Sequence, residues 1–357
     1  MKVLKLLLPI MACAIFIIGC DVSNDPTPST EAVGTIAEFF PFHENTLIAF
    51  DDTAGPWGRT FYTIYVDGNR MQRLTLSGAF AVTEVFEIYD GELRVNHASV
   101  TASGFEQMLD KIDDTPMVIL REPLALGNSW STHTGPTIQG VAKGYSTITA
   151  VDVEIETPYG TVVAIEVSTE FENGYTAVDH FAKGLGLVQS GFFIQGFERD
   201  QGDTRLVQED LHVDLILRSI SENTYLNVDF FAIFPNDNAD DLTYADTSFE
   251  FMTNDDIVPA FEAILRNPGG RPYGLISPNT RINSIDVSWR DSVENPMFDT
   301  TIVHLDLSAE FVTDVMMNTG ANVEHLILES LELMMRDFFN AHEFVLTIDG
   351  QPYDARH

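Results

Sequence analysis

The 357-residue sequence has 54 acidic residues against 19 basic ones, which gives a formal net charge of −35 at neutral pH. A chain this acidic has no basic surface that could displace the counterions of DNA or RNA. We therefore exclude nucleic acid as a partner, whereas a cationic partner or divalent cations are compatible with the charge. The composition, 45% hydrophobic and 11% aromatic, is that of a globular protein, and the length predicts about two domains.

Residues 1–19 have the pattern of a bacterial secretory signal that ends at a lipidated cysteine. Lys2 and Lys5 precede an apolar stretch too short for a stable transmembrane helix, and this stretch ends in the lipobox Ile17-Ile18-Gly19-Cys20. An ordinary signal peptide with a chance cysteine is the alternative. Lipidation of Cys20 predicts an extracytoplasmic protein anchored to the membrane by its acyl chains. Because Cys13 leaves with the signal peptide, no thiol remains for a disulfide, a metal or catalysis.

Residues 20–34 and 35–217 predict a flexible tether followed by an all-β domain. The tether is rich in Ser, Thr, Asn, Asp and Pro, and has too few apolar residues to pack. In the β domain, apolar alternation flanks three turn sequences, Asp67-Gly68-Asn69, Asp90-Gly91 and Pro158-Tyr159-Gly160. A helix is predicted at 104–112. Consecutive hairpins indicate a curved antiparallel sheet, a meander or half-barrel with one packed face.

Three motifs in the β domain follow one another in an order typical of bacterial envelope lipoproteins. They are Pro123–Trp130, Thr157–Thr161 and Phe181–Val188. On these motifs the domain resembles a recurrent class of envelope-lipoprotein domains of uncharacterised role, and the resemblance implies an all-β shell without activity. Residues 210–223 join this domain to the next, although the alternation within 211–217 is also typical of a strand.

From residue 224 the pattern changes to mixed α and β. A strand that begins at Leu226 and ends at Pro235 is followed by a helix that begins near Asp256, with Asp255 or Asp256 as its cap. A longer helix covers 321–339. Further strands are predicted at 285–289, 303–307 and 344–348. The order β-α-β-β-α-β predicts a small α/β sandwich, and the whole chain is therefore predicted to be of the α+β class.

Several residues of this second region match the pattern of a known family. They are Phe234-Pro235, Pro278 within Ile276–Ile282, Asp306, Leu307, Ser308, Phe311, Asp349 and Gly350. On these motifs residues 224–354 resemble the GerMN domain of spore-germination and sporulation proteins. The resemblance implies an extracytoplasmic, non-enzymatic module that acts through contacts with other proteins. The sequence departs from the family pattern in a long acidic insert at 236–256 and a stretched hairpin at 291–300, and it carries one copy where the archetype carries two.

The sequence lacks the patterns that mark catalytic and zinc sites. No two histidines have zinc-binding spacing, no Gly-x-Ser-x-Gly is present, and His180 beside Asp179 is interpreted as a half-buried strand residue. Asp237, Asp240 and Asp241 are candidates for a divalent cation. They lack the glycine and glutamate of a calcium loop, so a solvated acidic loop is the alternative. We predict no catalytic residue and no cofactor.

Two functions follow from these patterns. The first is a membrane-anchored protein-interaction module of the cell envelope, in sporulation or spore germination. It predicts an envelope protein as partner and an exposed apolar or sheet-edge patch on residues 224–354. The second is a lipid or glycan carrier that uses the concave face of the β domain and contains a large apolar cavity. An enzyme has no supporting constellation in the sequence.

Overall fold

The computed structural model describes residues 31–52, 58–77, 80–101, 105, 107–111, 115–133, 142–172, 174–193, 195–200, 203–208, 212–267, 274–290 and 300–353. The predicted signal peptide, Cys20, the tether up to residue 30 and residues 291–299 of the stretched hairpin lie outside these ranges. Strands dominate the described chain, and one large antiparallel sheet forms a near-barrel beside smaller sheets and helices. Within the same ranges, no helix combines the length and the apolar character needed to cross a membrane.

Twelve strands of the described chain form the large sheet. From one edge to the other they are β6 (Met117–Arg121), β5 (Glu92–Thr101), β4 (Phe80–Tyr89), β3 (Arg70–Ser77), β2 (Arg59–Asp67), β1 (Leu47–Asp52), β14 (His212–Ser221), β11 (Gly186–Phe193), β10 (Thr176–Ala182), β9 (Gly160–Phe171), β8 (Lys143–Thr157) and β7 (Ser129–His133). A separate hairpin contains β12 (Gln195–Asp200) and β13 (Asp203–Gln208). The large sheet thus consists of two meanders, β1–β6 and β7–β11, joined by β14.

β14 and the two edge strands determine how the sheet curves round on itself. β14 is the last strand of the sheet along the chain, and it pairs with β1 on one side and β11 on the other. The alternation within 211–217 therefore does mark a strand, which continues to Ser221. The edge strands β6 and β7 meet through side chains. The Trp130 indole N–H and the Thr132 hydroxyl both donate to the Val118 carbonyl, at 3.2 and 2.9 Å.

The three hairpins predicted from turn sequences are confirmed as β2–β3, β4–β5 and β8–β9. The first two turns place Gly68 and Gly91 at φ of +59° and +71°. Only glycine adopts this left-handed backbone without steric cost, and such turns match the twist of the flanking strands. Local sequence therefore fixes the register of these strand pairs.

The predicted helix at 104–112 is wrong over the residues that the structure describes. Residues 107–111 form a single turn, in which the Lys111 N–H donates to the Met108 carbonyl at 2.8 Å. Phe105, Met108 and Leu109 are buried, and the Met108 N–H donates to the buried side-chain oxygen of Gln72 on β3, at 2.7 Å. Packing against the sheet therefore replaces the helical hydrogen bonds that the apolar spacing had suggested.

The amino-terminal segment crosses the interior of the near-barrel. Its short helix α1 (Ile36–Phe39) is held at one end by Glu122, whose side chain accepts the Ile36 N–H at 2.9 Å, and at the other by the Gly184 N–H, which donates to the Glu38 carbonyl at 2.7 Å. The apolar residues of the segment pack with side chains from both meanders, among them Phe86, Leu93, Leu120, Trp130, Ile148 and Phe181. The segment thereby fills the space between the two halves of the sheet.

The second region contains a two-stranded and a four-stranded sheet. In chain order its elements are β15 (Leu226–Pro235), β16 (Leu242–Phe251), α2 (Val258–Arg266), β17 (Ile282–Arg290), β18 (Thr300–Leu307), α3 (Ala321–Phe338), β19 (Glu343–Ile348) and β20 (Gln351–Pro352). β15 pairs with β16, and the other sheet has the order β17-β18-β19-β20. β18 and β19 are parallel and connected by α3. The two predicted helices are present, and Asp256 accepts the Val258 N–H at the start of α2, at 2.9 Å.

The acidic insert predicted at 236–256 contains a strand. Its residues 242–251 form β16, whose exposed and less exposed positions alternate with the period of a strand. The inward positions include Phe249 and Phe251, which pack into the core. The sequence analysis considered the carboxylates of this segment and overlooked the apolar residues between them. The element order therefore has two more strands than predicted, β16 and the short β20, and β15 pairs with β16.

The two regions share one hydrophobic core. Tyr62, Ile64 and Leu74 of the large sheet belong to the same buried cluster as Phe251 of β16 and Phe338 of α3. The Phe105 ring stacks on the Phe338 ring with 5.7 Å between their centroids. Burial of aromatic rings is a large source of stability, so this junction couples the regions energetically.

Hydrogen bonds reinforce the junction. The buried Tyr62 hydroxyl lies 3.1 Å from the carbonyl oxygens of both Thr224 and Phe251. Beside it, the Thr253 hydroxyl donates to the Thr63 carbonyl at 2.8 Å. The residues that follow β16 are thus bonded directly to β2, and the two regions form one packed body.

Candidate functional site

Five predicted motif residues of the second region meet at one edge of the four-stranded sheet: Asp306, Leu307, Ser308, Asp349 and Gly350. Phe234-Pro235 instead ends β15, in the two-stranded sheet. β18 and β19 are parallel, so their carboxyl ends lie side by side. Asp306 and Ser308 therefore stand next to Asp349 and Gly350, and the Asp349 N–H donates to the Leu307 carbonyl at 2.9 Å. This edge is therefore the place where these motif residues lie together.

Asp306 is the centre of this edge. One of its oxygens accepts the Thr347 hydroxyl at 2.5 Å and the Gly350 N–H at 2.8 Å, and the other accepts the Asn283 side-chain amide at 2.9 Å. Burial alone would raise the pKa of Asp306, but these three donors outweigh it and lower the pKa below its ordinary value. The ionised carboxylate connects β17, β18, β19 and the turn after β19.

Ser308 and Phe311, which follow β18, also make structural contacts at this edge. The Ser308 hydroxyl accepts the Arg281 N–H at 3.0 Å, so its oxygen is occupied by a backbone donor. Phe311 is fully buried and meets the Tyr353 ring edge-to-face at 6.2 Å. Burial, together with a hydrogen bond to Glu324, raises the pKa of Tyr353 to about 12. These residues bind the end of the chain to the sheet.

Pro278 lies on the surface of a turn that is hydrogen-bonded to the segment after β18. The Ser277 hydroxyl donates to Asp314 at 3.1 Å, and the Asn279 side-chain amide donates to the same carboxylate oxygen at 2.9 Å. The hydrogen bonds from Asn279 and Ser277 lower the pKa of Asp314. Thr280 is completely buried beneath the turn. The turn therefore has a fixed conformation.

Glu262 is a residue of this assembly that the sequence analysis missed. It is buried on α2, and it accepts the Ile282 N–H at 2.8 Å and the Arg266 guanidinium at 2.7 Å. Burial would raise the pKa of Glu262, but the Ile282 N–H and Arg266 lower it overall. The four-residue spacing between Glu262 and Arg266 is typical of a helical ion pair and was the available signal.

We call the edge formed by these residues the motif edge. Its polar side chains form hydrogen bonds with one another and with the backbone, and their role is therefore structural. Asp306, Asp314 and Glu262 each accept hydrogen bonds from at least two donors of the protein. In the ranges that the structure covers, no group of three or more histidine, cysteine and acidic residues is arranged to hold a metal ion. The arrangement supplies rigidity to this edge of the sheet.

The candidate cation ligands lie in the turn between β15 and β16. Asp240 accepts the Asn236 side-chain amide at 2.8 Å, and Asp241 accepts the Leu242 N–H at 2.8 Å. Both carboxylates are thus bonded to groups of their own turn, which also contains Asp237. The turn is exposed, as the solvated-loop interpretation predicts.

His180 is more deeply buried than predicted, with 3% of its surface exposed. Its Nε2 lies 3.2 Å from Glu166 across the β9–β10 pair, whereas the neighbouring Asp179 is on the opposite face of the strand. Burial lowers the pKa of His180 despite the nearby Glu166, and burial raises the pKa of Asp179 to about 6. The two adjacent residues therefore do not form an acid–base pair.

The interior of the near-barrel contains a cavity of about 30 Å³, lined by residues that include Phe40, His43, Phe61 and Arg73. The Arg73 guanidinium lies 4.1 Å from the centre of the Phe61 ring and pairs with Glu84 at 2.7 Å. This volume is of the order of one water molecule. A lipid or glycan at this place would have to displace the side chains that now fill it.

The outer face of β15–β16 has a different character. Phe231 and Tyr244 are 55% and 63% exposed, and they lie diagonally across the strand pair. Acidic residues on the same face are Asp229, Asp246 and Glu250. A surface depression of about 400 Å³ lies here, between Asp229, Phe231 and Asp246. An exposed patch was predicted on this region without being assigned to residues, and Tyr244 was not considered because its strand had been interpreted as an insert.

Comparisons with known proteins give no match. No family model matches the chain, and none of the curated proteins or solved structures compared with it is similar. The resemblance to the GerMN domain therefore depends on the motif residues and on the element order described above.

Proposed function

We propose that this protein is a non-enzymatic lipoprotein, anchored outside the cytoplasm through Cys20, which acts by binding another protein of the cell envelope. The lipobox supports the anchor, since its residue types and its position after an apolar stretch fit a lipoprotein signal. The motifs shared with the GerMN domain support action through protein contacts in sporulation or spore germination. In this proposal residues 224–354 form a GerMN-type unit with an added strand, β16.

The exposed face of β15–β16 is the observation that carries the proposal. Large aromatic side chains are costly to expose, and a contiguous exposed patch typically marks an interaction surface. The polar residues at the motif edge are occupied within the protein, and the interior of the near-barrel is filled. Among the surfaces described, this face is therefore the best suited to bind a partner.

The anchor is tested with two cysteine variants. Cys20→Ala should leave the full chain unlabelled by radioactive palmitate and release it from membranes, because the acceptor sulfur is gone. Cys13→Ala changes the other cysteine of the signal segment, and it should be labelled and membrane-bound like the parent. If the Cys20→Ala protein stays on membranes as firmly as the Cys13→Ala protein, the anchor is wrong.

The partner is tested by cross-linking in native membranes. The full chain, expressed in its source organism, should form a discrete cross-linked species with one envelope protein, and reciprocal capture of that protein should recover the chain. The Cys20→Ala variant should form less of this species, because it is no longer held at the membrane. A chain that yields no cross-linked envelope protein in reciprocal experiments would argue against an interaction module.

A further inference from the structure

The outer face of β15–β16 combines aromatic and acidic side chains in register. Phe231 lies directly opposite Asp246, and Asp229 opposite Ser248. All four side chains are exposed, as is Tyr244, diagonal to Phe231. In an antiparallel pair, directly opposed side chains lie within about 5 Å of each other at Cβ. Phe231 therefore stands beside the Asp246 carboxylate, and Tyr244 lies diagonal to Phe231 and two residues from Asp246 along β16.

The carboxylates of this face have no counter-charge in their own segment. From Ser219 to Phe261 the sequence contains nine acidic residues and no Lys, Arg or His. In the large sheet, by contrast, two glutamates are paired with arginines on the neighbouring strand, Glu87 with Arg70 and Glu84 with Arg73, at 2.9 and 2.7 Å. The face therefore offers a concentrated negative potential that a cationic partner would relieve.

The shape of the face suits an extended segment. β15 and β16 are ten residues long each and pair only with one another among the strands that the structure describes. Their outer edges can therefore receive another strand. The shallow depression beside Phe231 has room for a side chain lying across the strands. A long basic side chain can place its methylene stem on the ring and its charge near the carboxylates.

We propose that the outer face of β15–β16 binds a basic, extended segment of the partner protein, with Phe231 and Tyr244 contacting its Lys or Arg side chains and Asp229, Asp246 and Glu250 neutralising them. This inference rests on the proposed function and names the chemistry of its partner. A second copy of the chain does not fit this surface, because both molecules carry a net charge of −35.

The test uses the full chain in detergent and a fluorescent peptide of alternating Lys and Val, as long as β15. The parent protein should bind this peptide more tightly than a Glu-Val peptide, and binding should weaken as salt is raised from about 0.01 M to about 0.15 M. The double variant Phe231→Ala, Asp246→Asn should lose about tenfold in affinity, because one cation–π contact and one charge pair are removed.

A matched control exists on β8–β9. Tyr145 is 54% exposed and lies directly opposite the exposed Glu170. The double variant Tyr145→Ala, Glu170→Gln removes the same kinds of group from another sheet face, and it should bind the Lys-Val peptide like the parent. Equal losses in both double variants would show attraction to the overall charge only and would overturn the inference, as would no loss in either.

Two further outcomes would assign the face to another occupant. If the parent alone sediments as a dimer that Phe231→Ala dissociates, the face is a self-interface. If a soluble chitin oligosaccharide displaces the peptide, the face binds glycan. Either result overturns the inference. A membrane partner that still cross-links to the Phe231→Ala, Asp246→Asn variant would leave the proposed function standing and overturn only the assignment of the face.

Discussion

Replacing Tyr62 by phenylalanine should destabilise both regions of the protein together. Tyr62 is 1% exposed, and its hydroxyl lies 3.1 Å from two carbonyl oxygens, those of Thr224 and Phe251. Tyr62→Phe preserves the ring and its packing, so no large cavity forms. It removes the donor and leaves two carbonyls of the second region without it. A lost buried hydrogen bond costs about 1–2 kcal/mol, and this is the decrease expected in the free energy of unfolding.

The assay is urea unfolding followed at two places. One single-tryptophan variant keeps Trp130, which lies in the core of the near-barrel, and the other keeps Trp289 on β17. Because the two regions share a core, both probes should report the same midpoint, and Tyr62→Phe should shift both midpoints equally. The control Tyr145→Phe removes an exposed hydroxyl and should change the free energy of unfolding by less than about 0.5 kcal/mol.

Separate transitions at the two tryptophans would refute this reasoning. So would a Tyr62→Phe shift confined to one probe, because the hydroxyl would then act within one region only. Either result would mean that residues 35–217 and 224–354 behave as independent domains. If Trp130 and Trp289 report one common transition, and Tyr62→Phe shifts its midpoint equally at both, the junction couples the stability of the two regions.

Three further substitutions test Asp306 at the motif edge, the partly buried Asp179 carboxyl, and the contact between the edge strands β6 and β7. Asp306→Asn should lower the free energy of unfolding by about 1.5–3 kcal/mol at neutral pH. Because the folded pKa of Asp306 is lowered below 3.8, this difference should shrink as the pH falls through the lowered pKa, in urea titrations across that range. Burial raises the pKa of Asp179 from 3.8 to about 6. The folded parent therefore binds this proton more tightly than the unfolded chain, and it should lose stability as the pH rises from 3.8 to about 6. Asp179→Asn should remove that loss and be more stable at neutral pH by up to about 3 kcal/mol; equal midpoints would contradict this. Thr132→Val removes a donor to the Val118 carbonyl, and hydrogen exchange should become faster at β6–β7 but not at β2–β3.

The parts of the fold that were predicted are those with local signals. Asp90-Gly91 between alternating apolar residues determines a hairpin without reference to the rest of the chain. The spacing of Phe261, Ile264 and Leu265 likewise marks the buried face of α2. Neighbouring residues carry all of these signals, so periodicity is enough to read them.

The remaining features depend on contacts between distant residues. Nothing within residues 212–221 indicates that they insert between β1 and β11, because strand order is set by packing after the strands exist. The segment around Met108 has helical spacing, yet it bonds to Gln72 on the sheet. β16 was hidden because it lies within the acidic segment 236–256, although only two of its own ten residues, Asp246 and Glu250, are acidic. The aromatic face that we propose as the docking surface was missed for the same reason.

The position of β14 also determines when the protein can become folded. Leu47 at the start of β1 pairs with Ser221 at the end of β14, and the rest of the first meander and the whole of the second lie between them in the chain. Until β14 is available, β1 and β11 expose unpaired strand edges, which readily join other chains. Pairings between such distant segments form slowly, because a long loop must close first. A chain released without residues 212–221 would therefore be prone to aggregate, and we expect the completed protein to fold late, as the closing strand brings the second region against the sheet.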